Sequence, residues 1–293
     1  MESLWIILSL IAAFTGGTSD ALTKRALLKN NVYAIAWLRQ LVVVILLAPC
    51  LFIIPIPQIN EDFSRAFLTA LPFEVLAYIF YMKAIKISPL SLTVPFLSLT
   101  PICLMVIPYV ILGESVSIIG GAGILLIAIG SYTLNIKEIR KGFFEPIRAI
   151  SREKGSIFMI ITAILYGFTN TFGKQAIENS SALFFGVTYN IAFFMALSPV
   201  IFKIGKIHLH GHICKKTFGA AIAPGFFAAI TVIFYTVALS LANVAYMVAV
   251  SRLSLLVGVI YGHFLFKETG FRERMVGTML MLIGFSIIAL GHQ

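Results

Sequence analysis

The sequence predicts an all-α integral membrane protein, with ten transmembrane helices arranged as two inverted five-helix repeats. Three observations predict it. The 293 residues are 59% hydrophobic and only 12% charged, with a mean hydropathy of +0.99, whereas soluble domains carry about 25% charged residues. Apolar runs long enough to cross a bilayer, which takes roughly 20 residues, recur between breaks of Pro, Asn, Gly and charge. The second half of the chain can also be laid over the first, element by element.

In chain order the runs fall at about 4–23, 32–54, 67–86, 90–112, 116–136, 156–175, 182–203, 217–240, 243–266 and 273–291. The first, LWIILSLIAAFTGG, has no basic residue before it and further spans after it. It reads as a retained helix rather than a cleaved signal. Span four carries Pro89, Pro95, Pro101 and Pro108, which predicts kinks and freed carbonyls. Span nine has no matching prolines, so the two need not bend alike. The longest connection, 137–155, is basic and polar, and separates a first unit (1–136) from a second (156–293).

Charge assigns a side to each loop. When the ten spans are threaded in alternation, all 22 Lys and Arg except Arg39, Arg65, Lys174 and Arg252 fall on one face of the membrane. The positive-inside rule makes that face cytoplasmic, with both termini outside a plasma (inner) membrane. The formal charge of +10 is thereby accounted for and calls for no nucleic acid. The partners expected are the lipid bilayer and a small-molecule substrate, and the residues favour neither monomer nor homodimer. The cysteines, Cys50, Cys103 and Cys214, are scattered, which argues against a disulfide framework.

Self-comparison supplies the repeat. Shifted by 150, GTSDALTKRA lies over GFTNTFGKQA, aligning Gly17 with Gly167, Lys24 with Lys174 and Ala26 with Ala176; Pro49 falls on Pro199. Shifted by 154, FYMKA lies over FYTVA, Glu114 over Glu268 and GILLIAIG over GTMLMLIG. Five spans are an odd number, so the second unit enters the membrane from the opposite side. Inverted repeats of this kind set a substrate site near the midplane, between the halves.

The segment YIFYMKAIKISPLSLTVPFLSLTP, the VILGE that ends span four, and SRLSLLVGVIYGHFLFKE before a Gly-rich last helix resemble the EamA-type drug/metabolite transporter superfamily. The resemblance covers nearly the whole chain. It implies a transporter of amino acids, amines, sugars or similar metabolites, with spans 1–4 and 6–9 around the substrate and spans five and ten as braces. The first unit has the family's Gly113-Glu114, whereas the second has Lys267-Glu268, which puts the setting of Glu268 in doubt.

Polar residues inside the spans nominate the site, because lipid cannot satisfy them. Gly16, Ser19, Asp20 and Thr23 share one face of span one, and Tyr166, Thr169, Asn170 and Gly173 match them in span six. Cavity lining competes here with close helix packing. Arg39 and Gln40 in span two are matched by Tyr189 and Asn190 in span seven, and Asp20 lies near enough in height to pair with Arg39. Glu74, Tyr78 and Tyr81 share a face of span three, with Tyr235 matching Tyr81. Glu74 is read either as a cavity wall or as a residue at the headgroup level.

Arg252, matched by Ser98, is too deep in span nine to snorkel, and His263 projects from nearly the same face. It is expected either to anchor an anionic substrate group or to join the halves through a carboxylate. Asp20 and Glu74 are the candidate proton carriers. No cofactor and no metal are expected: His208, His210, His212 and Cys214 read as a solvated loop, and no nucleotide-binding GxxxxGK[ST] occurs. The rival readings are a membrane-embedded enzyme acting at the cytoplasmic face, and a channel.

Overall fold

A computed structural model describes residues 4–87, 94–135, 154–205, 215–266 and 271–291. The apolar runs fold as α1 (Leu4–Leu27), α2 (Val32–Leu47), α3 (Glu61–Ile87), α4 (Leu99–Leu112), α5 (Ile118–Asn135), α6 (Lys154–Glu178), α7 (Ala182–Gly205), α8 (Lys215–Leu241), α9 (Val244–Ser251), α10 (Ser254–Phe266) and α11 (Phe271–Gly291). Tight 3-10 turns follow α2 (Ala48–Phe52) and precede α4 (Val94–Ser98). Among the described residues there is no strand. Seven segments are long and apolar enough to cross a membrane, and three shorter apolar helices complete the expected ten.

Two departures from the expected spans bear on function. Span three starts at Glu61 rather than near residue 67, because Asn60 accepts the Phe63 amide (2.8 Å) and caps the helix. Glu74 therefore sits midway along α3.

Span nine is not one helix. At Arg252 the ladder switches to i→i−3 bonds, with Leu253 N–H donating to Val250 and Leu255 N–H to Arg252, both at 3.0 Å. Arg252 has φ −65°, ψ −12°. Its repeat mate Ser98, at the end of the 94–98 turn, has φ −66°, ψ −13°. Both residues thus carry the same backbone angles just before a following helix, α4 after Ser98 and α10 after Arg252.

The packing repeats as well. α1 lies along α8, and α6, the mate of α1, lies along α3, the mate of α8. α5 packs on its own mate, α11. Gln40 Nε2 donates to Asn190 Oδ1 at 2.9 Å, a contact between mates 150 residues apart. Equivalent residues that touch each other meet at the symmetry axis of the pair. α9 is the most enclosed element, with Val244 to Val250 all buried.

The α5–α11 seam depends on backbone approach. A Cβ at Gly284 would stand 2.6 Å from the Gly123 carbonyl and 2.9 Å from the Ile127 amide nitrogen. Neither neighbour is a movable side-chain end. Gly284→Ala is expected to cost about 1–3 kcal/mol through overpacking, read as a lower unfolding midpoint in detergent. An unchanged midpoint would mean that the seam parts freely.

Candidate functional site

The nominated residues come from α1, α2, α3, the turn before α4, α6, α7, α8 and the α9–α10 break. Asp20 is 71% exposed in its side chain, although its neighbours Ser19 and Ala21 are buried. Arg39 Nη2 stands 3.7 Å from Asp20 Oδ1 and is 30% exposed. The two therefore pair, as their heights allow. The pair leaves donor capacity unused, because the buried Arg39 Nε has no hydrogen-bond partner among the described residues.

Ser19 is placed differently from Asp20. It is fully buried, and its hydroxyl donates to the Pro224 carbonyl of α8 at 2.8 Å. It holds α1 against α8, which is the packing role weighed for this face. Ser98 is likewise buried, in the turn before α4. That turn packs on α5 and α6.

The opposite wall is a hydrogen-bonded face of α6. Tyr235 on α8 donates its phenol proton to Asn170 Oδ1 at 2.5 Å, and Asn170 Nδ2 donates to the Tyr166 carbonyl at 2.7 Å. Thr169 donates its hydroxyl to the Tyr166 carbonyl at 3.2 Å, and Glu74 of α3 has no ion-pair partner among the described residues. Tyr189 stacks on Phe185 at 4.8 Å between centroids, and its buried hydroxyl has no hydrogen-bond partner among the described residues. Tyr78 meets Phe193 edge-on at 5.7 Å. Tyr235→Phe deletes one well-made buried bond and leaves Asn170 Oδ1 unsatisfied. It is expected to lower stability by about 1–3 kcal/mol, measured as a shift in thermal unfolding; no shift would mean that Asn170 finds another donor.

These groups share one electrostatic field. Asp20 interacts with both Arg39 and Arg252, Arg252 with Tyr235, Tyr166 and Asp20, and Tyr81 with Asp20 and Arg39. Glu74 in turn is felt by Tyr78, Tyr166, Tyr189 and Tyr235. Asp20, Arg39, Glu74, Tyr78, Tyr81, Tyr166, Tyr189, Tyr235 and Arg252 thus lie within electrostatic reach of one another, and Asn170 joins them through Tyr235. Asn190 instead bonds Gln40.

Arg252 is the exception to charge pairing. Among the described residues its guanidinium has neither an ion pair nor a hydrogen-bond partner, and its buried Nε is unsatisfied. Among the described residues no carboxylate lies within ion-pair distance of it. The position at a helix break places the side chain where backbone groups are already released from the α-helical ladder.

Sequence reasoning passed over the bond between Tyr235 and Asn170, although both residues were nominated. It also passed over the break at Arg252, for which no proline or glycine gave a signal. His263 and the 208–214 run lie outside the residues whose side chains are described, as do Glu268 and Pro89. Among the described residues no three His, Cys, Asp or Glu side chains come together as a metal site; Cys50 and Cys103 are free thiols.

Residues 3–136 match the EamA-like transporter family, and residues 153–290 match it a second time. The chain belongs to the EamA-like transporter family. This EamA-like chain is accordingly a multi-pass membrane transporter of the drug/metabolite superfamily. Among 28 chains of solved structure that match it, one titled "Crystal structure of protein" has a TM-score of 0.78 at 13% identity, covering 100% of this chain and 99% of that one. At that identity the likeness shows the fold alone. No curated protein matches this sequence.

Proposed function

We propose that this EamA-like transporter is a secondary active carrier of a small zwitterionic metabolite, of the amino-acid type, working by alternating access between two inverted repeats. The observation that carries the substrate class is the half-buried Arg252, whose buried Nε has no hydrogen-bond partner and whose guanidinium has no ion pair among the described residues. An isolated buried charge costs several kcal/mol, and a substrate carboxylate offsets that cost through two parallel hydrogen bonds. Glu74, with no ion-pair partner among the described residues, supplies an acceptor for a substrate ammonium. The tyrosines between them present apolar faces to the substrate's carbon skeleton.

The contact between mates Gln40 and Asn190 supports an axis between the halves. With both termini outside, the end of the bundle where α1 stops (Lys24) faces the cytoplasm. The exposed Asp20 carboxyl is consistent with a cleft open to that side. Proton coupling through Glu74 or Asp20 would supply the driving force.

The test is counterflow in proteoliposomes with a panel of amino acids, amines, carboxylic acids and sugars. Saturable exchange confined to zwitterions is expected. Exchange of amines or sugars alone would remove Arg252 as the recognition group, linear flux would favour a channel, and chemical conversion would favour an enzyme.

A further inference from the structure

At the end of the bundle opposite Lys24, three elements are tied together around the junction between α8 and α9. The Lys174 side chain, only 5% exposed, points from α6 into the C-terminus of α8. Its Nζ donates to the carbonyls of Leu239 (2.8 Å), Ser240 (3.3 Å) and Ala242 (3.1 Å). It also pairs with Glu178 at 3.4 Å. A cation there satisfies carbonyls that the helix cannot pair and complements the negative end of its dipole.

The same junction is held from the other unit. Gly113 ends α4 in the left-handed conformation, φ +71°, which glycine adopts without a Cβ penalty. The chain then turns so that Glu114 Oε2 accepts the Val244 amide, the first of α9, at 2.9 Å. Asn243 donates to the Ser115 carbonyl at 3.3 Å. Tyr246 accepts the Ser117 amide at 2.9 Å. Burial pushes the Glu114 carboxyl up from the ordinary carboxylate range, while the Val244 amide and the Lys174 charge pull it back. One cation therefore serves both the C-terminus of α8 and the carboxylate that caps α9.

Its repeat mate behaves differently. Lys24, matched to Lys174 by the 150-residue offset, is exposed. The two matched lysines thus differ in burial, with Lys174 enclosed and Lys24 at the surface.

We infer that Lys174 and Glu114 form a two-handed clamp on the α8–α9 junction that keeps this end of the transporter closed. The inference rests on the alternating-access reading. Breaking the clamp releases α9, whose Val244–Val250 segment plugs this end, and shifts the population toward the state open here and shut at the Lys24 end. A lost interaction specific to one state moves the equilibrium by its differential free energy.

The experiment uses the full chain with Cys50, Cys103 and Cys214 replaced by alanine, and two single reporters. Val248→Cys reports on α9, where the native side chain is 2% exposed, and Thr23→Cys reports on the polar face of α1 at the Lys24 end. Modification rates with a membrane-impermeant maleimide are compared in detergent, with and without Lys174→Met. The expected result is a rate at least about tenfold higher at position 248, together with a rate several-fold lower at position 23. Glu114→Gln keeps the shape but weakens the acceptor, and should move both reporters the same way by less; it carries the test if Lys174→Met fails to fold. A rise at 248 with position 23 unchanged would reduce the clamp to local packing and overturn the inference, as would no change at either site. Neither reporter needs a substrate, so absent counterflow would sink the transport reading without touching this result.

Discussion

Arg252→Ala is expected to lower zwitterion counterflow by about 100-fold or more while the protein becomes more stable. Removing one partner of a buried, hydrogen-bonded charge pair costs about 2–5 kcal/mol, and each 1.4 kcal/mol is roughly a factor of ten. In the substrate-free protein the same guanidinium is a liability, because no described carboxylate satisfies it. Deleting it should therefore raise the unfolding midpoint, as happens when a site's stored cost is removed. Arg252→Lys keeps the charge but loses the planar fork and should retain about a tenth of the activity. A fall in the unfolding midpoint of Arg252→Ala would instead assign Arg252 to holding the halves together.

Glu74→Gln should separate coupling from exchange. Gln keeps the shape of the side chain but cannot carry a proton. Accumulation driven by an imposed pH gradient is expected to be abolished, while counterflow of pre-equilibrated substrate persists at a level about tenfold or more below the parent, because the ammonium loses its charged acceptor. Asp20→Asn should have the smaller effect on accumulation. Asp20 lies 3.7 Å from Arg39, whereas Glu74 has no cation partner among the described residues. A residue that takes and releases a proton during transport does so more readily when it is not tied to a permanent cation. Gradient-driven accumulation surviving intact in Glu74→Gln would end its part in coupling.

Much of the architecture was readable before any coordinates. Ten apolar runs and all-α class follow from the exclusion of unsatisfied backbone from lipid, which leaves a helical chain few alternatives. Polar residues in those runs stand out for the same reason, so Asp20, Arg39, Glu74, Tyr235 and Arg252 could be nominated from their cost alone. The Asp20–Arg39 pair was legible from matching heights on consecutive spans. The start of α3 was not, because the capping asparagine Asn60 and the acidic turn after it look like loop when only hydropathy is weighed. Correcting that start is what moves Glu74 to the middle of its helix.

Composition and spacing alone determined the class, the number of spans and the list of costly polar groups, because transfer of a group into hydrocarbon depends on its chemistry and not on its neighbours. Only the tertiary structure decided which of those groups are already satisfied. Ser19 is spent on Pro224, Asn190 on Gln40 and Lys174 on the end of α8, whereas Arg252 is left open at a helix break. Such pairing depends on contacts between residues up to 205 positions apart, and no local pattern encodes them.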